Sequence, residues 1–187
     1  DKQSFSAEPE TRVTLFQGVP KGSKFETIVQ KTVELGVDTI QPVFMARTVV
    51  VDKGNYSKKV QRLNKIAAEA VKQCKRGVIP QVEEPIKMMQ MLEDLEDFDL
   101  VLFPYENEKG TTIKDELRGV AQAQANGEMA AGLRVAVIIG PEGGFSDEEA
   151  SDIVEAGGLS VSLGRTTLRT ETAGMAALAM IMYELEL

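Results

Sequence analysis

Two stretches of this chain carry residue types that chemistry needs. Residues 139–147 read IGPEGGFSD: an apolar run from Val135 to Ile139 stops at Gly140-Pro141, and one carboxylate, Glu142, then stands beside Gly143 and Gly144. Glycines at this density let a backbone approach a ligand closely. The stretch is not a Walker loop, because Phe145 and Ser146 follow Gly144 where a Lys-Ser/Thr pair would meet phosphates, and its spacing breaks the G-x-G-x-x-G dinucleotide pattern. A carboxylate among bare carbonyls suits a ligand with positive charge or amide-like donors; the alternative is a turn glutamate facing solvent. Ser146 and Glu149 have the S-x-x-E spacing of a capping box, which accounts for both without chemistry. The second stretch is LGRTTLRTETAGMAAL, residues 163–178, where Arg165, Arg169, Thr170, Glu171 and Thr172 crowd a helix start before small residues begin.

The totals narrow the classes these stretches can serve. The 187 residues contain no histidine and one cysteine, Cys74, which removes a disulfide framework, a zinc cluster and the Ser-His-Asp and Cys-His nucleophile schemes. No apolar run approaches a membrane span and DKQSFSAEPE has no signal-peptide pattern, so the expectation is a cytoplasmic protein with no membrane and no metal. The net charge of −8 is unevenly spread: residues 1–76 hold 14 basic against 8 acidic residues, the remainder 7 against 21. Such asymmetry either offers a polyanion one basic face or merely solvates lysine-rich helix surfaces.

The elements that must position the two stretches alternate. TLFQGV reads as a strand; PKGSKFETIVQKTVELGV reads as a helix with Phe25, Ile28, Val29 and Val33 on one face and Gly36 to end it; TIQPVFM is the next strand. SKKVQRLNKIAAEAVKQCKR is an amphipathic helix with Ser57 as candidate cap and Val60, Leu63, Ala67, Ala70, Val71 and Cys74 along its stripe. A Met-rich helix around MMQMLEDL follows, with Met88, Met89 and Met91 read as core filler, then strand DLVLFPYE, a helix from about Thr111 to Ala125, strand LRVAVIIG, helix SDEEASDIVEAG, strand LSVSLG and a terminal helix. Strands and helices in this order predict an α/β fold with a mostly parallel sheet flanked by helices, and both glycine-bearing loops should open at its carboxyl edge. The terminal helix ETAGMAALAMIMYELEL is apolar nearly all round, so it must be buried on several sides, within one subunit or against a second copy.

GPEGGFS followed by LGRTTLRTETA resembles the paired signature of the RsmE family, the uridine-N3 methyltransferases of small-subunit ribosomal RNA in the SPOUT superfamily. KGSKFETIVQKTVELGV, the RTVV at 47–50 and AAEAVKQCKR resemble the same family in order and spacing, from about Thr11 to the end. The resemblance implies a SPOUT methyltransferase domain over 11–187 with a carboxyl-terminal trefoil knot, a homodimer, and residues 1–10 as remnant of a linker from an amino-terminal PUA-like domain that is absent from this chain. It implies S-adenosyl-L-methionine as cofactor, in a pocket of Leu102, Phe103 and Pro104, Ile139, Gly140, Pro141 and Gly143, and Leu163, Gly164, Thr167 and Leu168. The implied partner is small-subunit ribosomal RNA, naked or in the assembled subunit, with the methyl group going to N3 of a uridine. Arg169 would stabilise charge on the neighbouring carbonyl oxygens or hold a phosphate; Glu142 would accept the N3 proton or orient the base. Lys21, Lys24, Arg47, Lys58, Arg62, Arg76 and Arg165 would contact RNA. The alternatives are a SPOUT enzyme acting on another RNA, such as a ribose 2′-hydroxyl of transfer RNA, and a catalytically silent RNA-binding module.

Overall fold

The strands are apolar on both faces, as a wholly parallel sheet covered by helices on each side requires. The computed structural model describes residues 8–52 and 54–187. In chain order it holds β1 (Arg12–Gly18), α1 (Lys24–Glu34), β2 (Thr39–Phe44), α2 (Tyr56–Cys74), β3 (Gln81–Val82), β4 (Ile86–Lys87) and α3 (Met88–Asp94). There follow β5 (Leu100–Pro104), α4 (Ile113–Ala125), β6 (Arg134–Ile139), α5 (Asp147–Glu155), β7 (Leu159–Val161) and α6 (Thr170–Glu186). The seven strands lie in the order β3-β2-β1-β6-β5-β7, with β4 also paired to β2. Every pairing is parallel, and β1 is flanked by β2 and β6 with Leu15 opposite Ile40 and Val137.

The strand period of two divides the core. Val13 and Leu15 of β1, Leu100 and Leu102 of β5, and Val135 and Val137 of β6 pack with Phe25, Ile28, Leu63, Leu117 and Leu178 from α1, α2, α4 and α6. Phe16, Val101, Phe103, Ala136 and Ile138 face the other way, onto Met91 of α3 and Ile153 of α5. Each such side chain, fully buried, contributes about 1.5–3 kcal/mol of transfer free energy. The chain runs from β1 outward to β2, β3 and β4, then crosses to the opposite half for β5, β6 and β7. The carboxyl ends of β1, β6, β5 and β7 therefore sit side by side, the place where open α/β sheets bind ligands.

Several helix boundaries follow local chemistry. Gly36, at φ 96°, ends α1 in a conformation that costs glycine nothing. The Thr112 hydroxyl accepts the Asp115 N–H at 3.2 Å to start α4. Ser146 and Glu149 form the expected reciprocal capping box on α5. Ser57 is not a cap: α2 begins one residue earlier, at Tyr56, after Asn55, and the Ser57 hydroxyl donates to Glu84 at 3.0 Å instead. Met91 is fully buried as core filler, but Met89 is 72% exposed. Within one chain α6 is buried on one side: its Gly174, Ala177, Leu178 and Ile181 pack inward, while Thr172, Ala179 and Tyr183 are exposed on the other. Of the expected linker remnant, residues 1–7 lie outside the described residues, and the rest is tied down. Glu8 pairs with Arg76 at 2.8 Å, and the backbone N–H groups of Glu10 and Thr11 donate to Glu186 at the end of α6. Among the described residues, no helix is long and apolar enough to cross a membrane.

Candidate functional site

At the carboxyl edge of β5, β6 and β7 lies a cavity of about 860 Å³. One wall is the loop after β6, residues Gly140 to Phe145; the other is the loop after β7, from Ser162 to the first turn of α6; Pro104, Tyr105, Glu106 and Glu108 after β5 close the side. The two glycine-bearing stretches, separated in sequence, thus face one another across a single space.

The first wall is held by bonds from four directions. Gly144 N–H donates to the Pro141 carbonyl at 2.9 Å, with Gly144 at φ 66° closing the turn. The Glu142 carboxylate accepts the Lys21 N–H at 2.9 Å and the Lys24 ammonium at 2.9 Å. Burial pushes its carboxyl up, but the bonds from Lys24 and the Lys21 N–H outweigh this and hold it below the usual carboxylate value. The bond from Glu142 in turn holds the Lys24 ammonium above its usual value, against partial desolvation. Arg47 Nη1 donates to the Gly143 carbonyl at 2.9 Å. A side chain at Gly143 would place Cβ 2.9 Å from the Arg47 Cβ, and one at Gly18 would place it 2.5 Å from the Pro141 nitrogen, so both positions require close backbone approach. Glu149 does more than cap: its carboxylate also accepts the Ala46 N–H at 2.6 Å, pinning the turn that carries Arg47 onto the start of α5.

The second wall carries its arginines without partners. Among the described residues, Arg165 and Arg169 make no ion pair or side-chain hydrogen bond, although both line the cavity. The Arg169 carbonyl accepts from Thr172 and Ala173 to start α6. Glu171, in the first turn, lies with Oε2 3.7 Å from Lys24 Nζ. Thr170 links the walls: its hydroxyl donates to the Gly140 carbonyl at 2.6 Å and accepts from Gln17 Nε2 at 2.9 Å, a fully enclosed chain.

Comparison with known proteins agrees with this geometry. A family model described as an RNA methyltransferase domain matches residues 7–182. The ribosomal RNA small subunit methyltransferase E of Bacillus subtilis is 35% identical over 94% of this chain and 67% of its own length, and that of Mesomycoplasma hyopneumoniae is 31% identical over 90% and 68%. The chain belongs to the ribosomal RNA small subunit methyltransferase E family. It spans about two thirds of the length of these relatives. Among solved structures, the methyltransferase E of Neisseria gonorrhoeae bound to S-adenosyl methionine has 29% identity and a TM-score of 0.80, covering 96% of this chain and 69% of that one. A Legionella pneumophila protein solved with the same cofactor has 33% identity and a TM-score of 0.81, covering 95% and 68%. A SpoU methyltransferase of Streptomyces viridochromogenes, at 11% identity and TM-score 0.53, shares the fold.

Within this chain, the cavity takes in most residues expected of the cofactor pocket: Pro104, Ile139, Gly140, Pro141, Gly143, Leu163, Gly164, Thr167 and Leu168. Leu102 and Phe103 do not reach it. Both are fully buried, Leu102 in the layer that includes Leu117 of α4 and Phe103 stacked on Tyr105 and edge-on to Phe145, because β5 ends at Pro104 and only that last residue and those beyond it face the opening. Glu142 and Arg169 both line the cavity, from opposite walls.

The basic residues separate into three groups. Lys24 and Arg165 line the cavity, and Lys21 and Arg47 bond its first wall. Lys58 and Arg62 are exposed on α2, Arg62 paired with Glu26 at 2.9 Å. Arg76 leaves the set expected to contact RNA. Its side chain is 8% exposed, and its guanidinium donates to Glu8 and to the carbonyls of Val33 and Val37, closing the end of α1. Lys109, Glu106, Glu108 and Glu171 line the cavity without having been singled out for it by the sequence. Gln17 is the least foreseeable participant; its signal is a polar residue inside the apolar run TLFQGV, at 0% exposure.

Proposed function

We propose that this chain is the catalytic part of an S-adenosylmethionine-dependent methyltransferase that modifies N3 of a uridine in 16S (small-subunit) ribosomal RNA. The observation that carries this reading is the single cavity where a carboxylate-bearing wall and a guanidinium-bearing wall meet at the sheet's carboxyl edge. The space suits the cofactor. Ile139, Leu163 and Leu168 offer apolar contact to an adenine ring, and the carboxylates of Glu142 and Glu171 offset a cation. When bound there, S-adenosylmethionine supplies a methyl group on a positively charged sulfur.

The chain's own residues do the rest. Uracil N3 lies on the pairing edge, so the target must be unstacked and unpaired to enter. Arg169, free of internal partners, lies where it can balance the negative charge that spreads onto the carbonyl oxygens flanking N3 as its proton leaves. Glu142 is ionised at neutral pH, as any ordinary carboxylate is, and Lys24 and the Lys21 N–H lower its proton affinity further. It orients the base through N3–H, and its lowered basicity makes it a modest acceptor for that proton. Lys21, Lys24, Arg47, Lys58, Arg62 and Arg165 supply phosphate contacts that position the RNA.

The finer features follow the same family. The α6 segment would be threaded into the trefoil knot, and its exposed Thr172, Ala179 and Tyr183 would meet a second copy in a homodimer. The chain would be the SPOUT domain of a cytoplasmic protein, with the PUA-like RNA-binding domain outside this sequence. The test is to incubate the purified chain with small ribosomal subunits lacking the modification and labelled methyl donor, then to locate the labelled nucleoside by mass spectrometry. A 3-methyluridine at one site is expected; label on a ribose oxygen, or none, would overturn the reading.

A further inference from the structure

We propose that Gln17 is a positioning residue for cofactor binding: it sets the direction of the Thr170 hydroxyl and so locks the two walls of the cavity at one spacing. This rests on the reading that the cavity takes S-adenosylmethionine.

Gln17 belongs to β1, a central strand, and its exposure is 0%. A primary amide costs free energy in such a place, and leucine would bury there without that cost. Its Nε2 donates to the Gly18 carbonyl at 3.0 Å and to Thr170 Oγ1 at 2.9 Å, while its Oε1 is buried with no partner among the described residues. The amide is thus incompletely satisfied, and folding alone gives no reason for it.

The geometry around Thr170 supplies one. A hydroxyl has a single proton, and where Nε2 of Gln17 approaches, the Thr170 oxygen can only accept. Its proton is therefore directed to the Gly140 carbonyl, 2.6 Å away. Thr170 follows Arg169 directly and opens α6; Gly140 follows β6 and stands two residues before Glu142. The chain from Gln17 through Thr170 to Gly140 ties the sheet to the wall bearing Arg169 and to the wall bearing Glu142.

The expected signature is that affinity and stability move apart. In Gln17→Leu the orphaned oxygen is gone, so the thermal midpoint of the cofactor-free protein stays level or rises. Calorimetry should show S-adenosylmethionine binding about tenfold more weakly, equivalent to about 1.4 kcal/mol and in the range of one buried hydrogen bond. Thr170→Val should weaken binding similarly, the double variant no further than either single one, and Thr170→Ser should bind as the unaltered protein does. Equal affinity in Gln17→Leu or in Thr170→Val overturns the inference. If Gln17→Leu lowers the midpoint, additive losses in the double variant likewise overturn it, because packing damage adds where a shared chain does not. No binding by the unaltered protein instead overturns the cofactor reading on which the inference depends.

Discussion

The two walls of the cavity differ in how they are held. Between Gly140 and Ser146 the first wall receives bonds from Lys21, Lys24, Arg47, Thr170 and Glu149, and Phe145 anchors it edge-on against Phe103. In the second, the base is tied through Ser162 to Thr111 and Ile113, but residues 165–168 make no hydrogen bond among the described residues. The charges follow the same division: Glu142 is paired, whereas Arg165 and Arg169 are not. A group that must orient something needs rigidity before the ligand arrives, while a group that must meet a large substrate benefits from being unspent. The bonded wall therefore reads as the preformed half of the site, and the sparsely bonded wall, which shares the cofactor pocket through Leu163 and Leu168, as the half whose charges are kept free for RNA.

The largest effect tests that division of labour. Arg169→Ala should lower turnover on small-subunit RNA by about 10²–10³-fold, the usual loss on removing one donor to a developing charge. Its affinity for S-adenosylmethionine should be unchanged by calorimetry. A parallel loss of cofactor affinity would erase the contrast, since the Arg169 guanidinium would then be spent on holding the cofactor.

Matched glycine substitutions sharpen it next. At Gly18 a Cβ would meet Pro141 backbone nitrogen at 2.5 Å and Pro141 Cδ at 2.7 Å, so Gly18→Ala must push the first wall away, at about 3 kcal/mol in urea unfolding. Gly164, at φ 145°, has nothing within 4 Å of such a Cβ, so Gly164→Ala carries backbone strain alone, about 1 kcal/mol. Equal losses would mean that the second wall is packed as tightly as the first.

Much of this arrangement could be read before the structure, and the gaps have identifiable causes. The strand-helix alternation located every long element because period-2 and period-3.6 patterns are local. The loops carrying Glu142 and Arg169 were recognisable by glycine density and by charge at a helix start, and the capping box on α5 followed from spacing alone. What escaped depended on distant partners. Arg76 looked like one more surface cation until Glu8 and two α1 carbonyls enclosed it. Glu149 looked fully employed by its cap, yet its carboxylate also takes the Ala46 N–H, 103 residues away. Leu102 and Phe103 share a strand with Pro104, and only where that strand ends decides which of them reaches the opening. No local pattern marked the bond from Gln17 to Thr170, which spans 153 residues.

The paired charge of the first wall gives a pH dependence whose sign is fixed. Glu142 is depressed in the folded chain, so its contribution is present above the ordinary carboxyl value of 4.5 and lost as pH falls through the depressed value. Lys24 is raised, so its contribution is present below 10.5 and lost as pH rises through the raised value. The contribution of this pair should therefore be level between these limits, and Glu142→Gln should flatten the acid limb of the thermal midpoint. An acid limb unchanged in Glu142→Gln would mean that the Lys24 pair does not hold the first wall.

The smallest effect concerns the basic residues farther from the cavity. Lys58 is exposed with its ammonium unpaired among the described residues, so Lys58→Ala should reduce the magnitude of the slope of log affinity for RNA against log salt by about 0.7–0.9. Arg76→Met, measured on folded protein, should leave that slope where it was, because a guanidinium already neutralised by Glu8 releases no counterions from RNA. A reduced slope in Arg76→Met would require Glu8 to give up the guanidinium when RNA binds. The carbonyls of Val33 and Val37 would then lose their donors, and α1, whose first residue is Lys24, would loosen at its far end.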